Sequence, residues 1–237
     1  GGGTFLKFTG SVADSVLVKK NSFRDISSRL TGAFEMNVDS IYHFISMGNN
    51  VREVNGQTGA LYYLSGDSKS YLKNLVMQQD TLRTVHASGE GGALFLNFPV
   101  CHNVAVEKSI LERVTSGATG GFLAAHKGIL LPNLKFDQVE ARNGASGVNG
   151  GFAGLSGTFG EITITGNVHS NSWAAGNGGS FYLESLNTPS GMMRVITSRF
   201  EGDKVKMSGN GGAFYLESLG VAEFDYNLFR DLKVKTN

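Results

Sequence analysis

The segment Gly176-Asn177-Gly178-Gly179-Ser180-Phe181-Tyr182-Leu183-Glu184-Ser185-Leu186 returns 33 residues later as Gly209-Asn210-Gly211-Gly212-Ala213-Phe214-Tyr215-Leu216-Glu217-Ser218-Leu219, with ten of eleven positions identical. A unit that recurs at a short period cannot bury its own apolar face, so it must stack against copies of itself. The same signature runs through the chain. A Gly ahead of a short apolar run stands at Gly3, Gly32, Gly59, Gly92, Gly121, Gly151, Gly179 and Gly212, with gaps of 29, 27, 33, 29, 30, 28 and 33 residues. Eight markers about 30 residues apart predict one stacked-repeat domain over residues 1–237. The chain opens on Gly1-Gly2-Gly3 without Met and closes inside a unit, which reads as a section of a longer repeat protein.

Each unit holds two or three apolar runs of four to six residues, such as Ile162-Thr163-Ile164-Thr165, divided by Gly, Asn, Ser and Asp. Runs this short, rich in Val, Ile, Phe and Tyr, read as strands. Val104 to Val114 is the only stretch that tempts a helical reading, and it sits where other units place strands. A propeller blade needs four strands in about 40 to 50 residues. Three strands and three turns in about 30 fit one coil of a parallel β-helix instead, so the predicted fold is all-β, a right-handed parallel β-helix of about eight coils.

Stacked coils turn equivalent positions into columns. Two residues past each marker come Phe5, Phe34, Leu61, Leu94, Leu123, Ala153, Phe181 and Phe214; four past come Lys7, Met36, Tyr63, Leu96, Ala125, Leu155, Leu183 and Leu216. Both columns are nearly all apolar and are assigned to the interior. The column between them, which includes Glu35, Tyr62, Phe95, Tyr182 and Tyr215, is mixed and is assigned outward. The marker glycines are expected to supply positive φ at tight corners. The two 33-residue gaps predict loops bulging from the side of the stack.

Composition narrows the partners. Glycine, at 33 residues, is about twice average usage while Pro numbers three, which fits ordered turns rather than a disordered linker. The 21 basic and 20 acidic residues are scattered over both halves, so no basic stripe for nucleic acid is visible. A single cysteine, Cys101, excludes a disulfide scaffold and reads as a small buried hydrophobe. No run of 18 apolar residues is present, and none of the 18 asparagines lies in an N-x-[ST] sequon.

The search for chemistry yields two features. Glu184 and Glu217 occupy the same position in adjacent units, and paired carboxylates can share a proton or hold a metal; they are weak catalytic candidates beside the plainer reading of a solvated edge. The outward aromatic residues Tyr62, Phe95, Tyr182 and Tyr215 are candidate binding residues, since exposed aromatic ladders suit sugar rings or a protein partner. A one-residue error of register would turn them into core. Asp25, Asp203 and Asp231 recur near strand ends, where Asp caps turns. The five histidines fall at different offsets and form no column. Neither the Gly-Gly-x-Gly-x-Asp calcium repeat nor the phosphate-cradling glycine loop is present. No cofactor and no metal are expected.

The Gly-Gly-Ala-Phe/Leu tetrads at 91–94 and 211–214, with variants at 120, 150 and 178, resemble the GGA(I/L/V) half of the chlamydial polymorphic membrane protein repeat. Similar repeats occur in autotransporter passengers and protist surface proteins, all of the pectin-lyase-like β-helix class. The other half of that repeat, FxxN, is poorly kept, Phe200-Glu201-Gly202-Asp203 being its nearest copy. The resemblance implies a structural or adhesive β-helix in an extracellular, cell-surface or filament-forming protein that associates end to end or laterally with other protein. The alternative is a polysaccharide-binding or polysaccharide-degrading β-helix of the pectinase type.

Overall fold

The computed structural model describes residues 6–29, 32–185, 190–206 and 209–234. It is a parallel β-solenoid of about eight turns, and the described residues are 67% strand and without helix. Val104–Val114 accordingly divides between the strands Val100–Glu107 and Ile110–Ser116. Each coil has three sides. A short strand comes first, as in Tyr62–Ser65, Leu94–Asn97, Phe181–Ser185 and Phe214–Glu217. A longer one follows, as in Tyr71–Gln78, Val100–Glu107 and Leu219–Asp225. In three coils the two run together, in Leu6–Lys19, Phe34–Met47 and Ala153–Thr165. The third strand is kinked: continuous in Asn50–Gly56 and Thr81–Ala87, it splits further along into pairs such as Arg199–Glu201 with Lys204–Val205.

The kink has one cause throughout. Asp25, Glu53, Thr84, Arg113, Asn143, Asn171, Gly202 and Asp231, one per coil, take left-handed backbone with φ between 53 and 68°. Asp25 and Asp231 thus sit at the kink itself, Asp25 inside the strand Ser22–Ser27. Asp203 does not: it lies one residue past the kink and points inside.

A second left-handed column turns the long strand into the kinked one: Lys20, Gly48, Gln79, Lys108, Gln138, Gly166, Thr197 and Tyr226. The residue after it feeds a buried polar ladder. The Asn21 amide donates to Asn49 Oδ1 at 3.0 Å, Asn49 to Asp80 Oδ1 at 2.7 Å, Asp80 to Ser109 Oγ at 3.2 Å, Asn167 to Ser198 Oγ at 3.1 Å and Ser198 to Asn227 Oδ1 at 2.8 Å. Each side chain supplies the acceptor that the turned backbone no longer offers, which buried N–H groups require. Asn21-Ser22-Phe23-Arg24-Asp25 is echoed by Asn227-Leu228-Phe229-Arg230-Asp231, identical at four of five positions, and the two pentads hold equivalent positions in the first and last coils.

The core is built from in-register columns. Phe34 pairs with Tyr62, Tyr62 with Leu94, Leu94 with Leu123, Leu123 with Ala153, Ala153 with Phe181 and Phe181 with Phe214. This corrects the phase of two coils. Gly59 matches the first glycine of the Gly-Gly corners and not the second, so Tyr62 faces inward and is fully buried. By the same slip the Lys7 side chain leaves the interior and pairs with Glu35 at 2.7 Å. The long gap before Gly92 does hold a bulge, an exposed turn at Asp67–Lys69. That before Gly212 falls in part on residues 186–189 and 207–208, outside the described residues.

The two glycines of each corner are needed for different reasons. Gly91, Gly120, Gly150, Gly178 and Gly211 have φ of 60 to 73°, which glycine adopts without strain. The marker glycine after each is not left-handed. At Gly92, a Cβ would run into the Gly121 carbonyl oxygen of the next coil. The expected positive φ therefore belongs to the preceding residue, and the marker permits close coil-to-coil approach.

Candidate functional site

The outward side of the short strands collects the predicted residues. After the Gly178-Gly179 corner, Phe181, Leu183 and Ser185 turn inward, and strand alternation sends Tyr182 and Glu184 out. The next coil repeats this with Tyr215 and Glu217, in register with them. The tyrosine rings stack at 5.3 Å between centroids and 5° between planes. Each hydroxyl donates to the carboxylate two residues on, Tyr182 to Glu184 Oε2 at 3.1 Å and Tyr215 to Glu217 Oε2 at 2.9 Å. Ser156, in the coil before, also donates to Glu184 Oε2, at 2.8 Å.

These contacts hold the phenols protonated. The Tyr182 hydroxyl is pushed up by burial, then by its bond to Glu184 and the charges of Glu184 and Glu217. That of Tyr215 is pushed up by its bond to Glu217 first. Each tyrosine feels both carboxylates, so the strip is one acidic field rather than two separate charges. It offers carboxylate acceptors beside aromatic edges, a surface suited to hydroxyl-rich or cationic groups.

The other predicted pair is different. Tyr62 is core: its hydroxyl sits 2.8 Å from Ser46 Oγ, which donates to Asp80 at 2.5 Å. Its outward place is taken by Tyr63, whose ring stacks on Phe95 at 5.7 Å. Phe95 keeps its outward position but is only 7% exposed, because the corner of the preceding coil packs on it at Gly59. Between the two aromatic pairs the column narrows to Ala124 and Gly154, and the Thr119 side chain lies where a Gly154 Cβ would be.

Further along the Glu184 column stand Ser156, His126, Asn97 and Ser65. Among the described residues no three His, Cys, Asp or Glu side chains gather as a metal site. Cys101 is fully buried, and burial pushes its thiol up.

Three ionisable groups are buried where the sequence reading did not place them inside. Asp80 accepts from Ser46 and from the Asn49 amide. Asp203 accepts from Ser180 Oγ at 2.7 Å and the Ser172 amide at 2.8 Å, and burial pushes its carboxyl up to about 7. His169 is packed among Phe152, Phe181 and Phe200, neither ring nitrogen has a partner, and burial pushes it down to about 3, so it is neutral. The columns of Asp203 and His169 hold hydrophobic residues in most other coils, which would have flagged them once the register was known, whereas Asp80 belongs to the polar ladder.

No family model, curated protein or solved structure matches the chain. Among the described residues no helix is long and apolar enough to cross a membrane.

Proposed function

We propose that this chain is a structural or adhesive section of a β-solenoid in a cell-surface, secreted or filament-forming protein. The observation that carries this reading is the pair of terminal coils. Leu6 and Phe8 on one, and Phe224 and Phe229 on the other, are exposed by 38 to 45%, although their columns are core elsewhere. At the first coil they border an open cavity of about 840 Å³. Open parallel edges over apolar columns are association surfaces, and they suit end-to-end association with a second copy. The Gly-Gly corners at 91–92, 120–121, 150–151, 178–179 and 211–212 support kinship with the pectin-lyase-like and polymorphic-membrane-protein type of solenoid, and the surface setting rests on that kinship. Sedimentation of the 237-residue chain tests the reading: assembly growing with concentration is expected, and a monodisperse monomer overturns it.

The Tyr182–Tyr215 strip favours a second reading, a polysaccharide-binding or polysaccharide-degrading surface. Screening against acidic and neutral glycans, with E184Q/E217Q as the paired variant, tests it. Binding or cleavage lost in the double variant supports it; no response to any glycan removes it.

A further inference from the structure

The solenoid stacks like on like, so charge within its outward columns needs management. Identical charges directly opposite on neighbouring strands repel. Several columns answer with alternating sign, Lys7 meeting Glu35 at 2.7 Å, Arg83 meeting Glu112 at 3.4 Å and Arg194 meeting Glu223 at 2.9 Å, while the in-register carboxylates Glu107 and Asp137 share Lys135 at 2.8 and 3.3 Å. Arg24, Arg52 and Arg83 stack in register, and Arg52 and Arg83 each have a carboxylate of their own.

Among the described residues two like-charged pairs have a countercharge on neither member, both in the last two coils. On the short-strand side Glu184 lies in register with Glu217. On the kinked side Lys204 lies in register with Lys233. Among the described residues no carboxylate lies within 4.0 Å of either lysine, and no Lys, Arg or His within 4.0 Å of either glutamate. The nearby carboxylates Glu201 and Asp231 are already taken by Arg199 and Arg230. A third ammonium joins the lysine pair: Lys206 Nζ stands 3.5 Å over the ring of Trp173, which precedes Lys204 in its column. The two pairs have opposite sign and the same separation, one coil rise of about 4.8 Å.

We propose that these pairs are the two halves of one lateral interface, the Glu184–Glu217 strip of one copy docking on the Lys204–Lys233 column of a second copy with the solenoid axes aligned. This rests on the reading of the chain as an assembling section and concerns its flank rather than its ends. Two ion pairs form at once, and each relieves the repulsion inside both like-charged pairs. The contact joins different faces, so it is heterologous and propagates. Exposed ion pairs contribute little each and are screened by salt, so the association is weak and ionic-strength dependent.

A charge swap in the intact chain tests it. E184K/E217K and K204E/K233E are made separately and checked for wild-type circular dichroism and melting; K204Q/K233Q is the milder substitute should a reversal fail to fold. In sedimentation at about 20 mM salt the wild type is expected to associate laterally, at least about tenfold more weakly at 300 mM. Each reversal variant alone is expected to lose this component, and an equimolar mixture to regain it, because each then offers the charge the other lacks. End-to-end stacking driven by apolar edges persists in salt and ignores these substitutions, so failure of one reading is distinguishable from failure of the other. A mixture that stays apart, or a wild type whose mass is indifferent to salt, overturns the proposal. So does binding of heparin to the lysine pair with no effect of the glutamate variants, which would assign that column to an acidic polysaccharide.

Discussion

The two copies of the eleven-residue repeat are nearly the same sequence in two different places. In the first, Phe181 and Leu183 are fully buried; in the second, Phe214 and Leu216 are only partly buried. Phe181 has the Phe152 ring on one side and the Phe214 ring on the other, at 5.2 and 5.1 Å. Phe214 has no described short strand beyond it. Burial in a solenoid is conferred by the neighbouring coil as much as by the residue. The single difference between the copies tells the same story at atomic scale. Ser180 donates to the buried Asp203, whereas Ala213 lies in the coil where Leu232 takes Asp203's column position, against the Gly212 corner. Polar meets polar in one corner, apolar meets apolar in the other.

The largest test of this comparison is truncation of the two phenylalanines. Phe181→Ala is expected to destabilise the chain by about 3–5 kcal/mol in denaturant unfolding, and Phe214→Ala by less than half of that. Equal losses would break the idea that the neighbouring coil sets the value of the residue.

Next comes pH. Burial keeps the Asp203 carboxyl protonated in the folded chain up to about pH 7, against an ordinary value of 3.8. Its contribution is full below pH 3.8 and is lost as pH rises through 7, up to about 4 kcal/mol in all. Asp80 is shifted the same way, burial again being the leading cause. Asp203→Asn keeps an acceptor for Ser180 and is expected to flatten the fall in melting temperature between pH 5 and pH 8. An unchanged pH profile in that variant would contradict the assignment.

Glycine substitutions sharpen the contrast from the other side. Gly178 and Gly211 have φ of 67 and 73°, a local demand that does not depend on the coil beyond. Gly178→Ala and Gly211→Ala should therefore cost similar amounts, about 1–3 kcal/mol each, where the phenylalanine pair differs. The smallest effect is expected at the tyrosine hydroxyls. Tyr182→Phe and Tyr215→Phe should each change stability by no more than about 1 kcal/mol, so any large loss of glycan or partner binding in them would report recognition rather than folding.

Much of this was legible in the letters. The marker glycines, the strand runs and the echo of Asn21–Asp25 in Asn227–Asp231 describe the coil number and the strand order. Tyr182, Tyr215, Glu184 and Glu217 were placed correctly because Tyr and Glu alternate there with Phe and Leu, and alternation fixes the face. Tyr62 was misplaced because Ala60-Leu61-Tyr62-Tyr63-Leu64 is apolar throughout, so a period of two leaves its phase open, and a lone Gly59 can match either glycine of a Gly-Gly corner. Asp80, Asp203 and His169 were not legible as core, since nothing local marks a polar residue as inward-facing.

The sequence by itself determined that the chain must stack, because a 30-residue unit of short apolar runs has nowhere else to bury them. It also determined where the corners fall, because glycine is the residue that tolerates left-handed backbone and close approach. Only the tertiary structure decided the register of each coil, and with it which tyrosine is core and which is surface. Register depends on side-chain and backbone contacts with the coils above and below, about 30 residues away in either direction, and no local pattern carries that information. The same long-range pairing brought two glutamates together on one flank and two lysines on another.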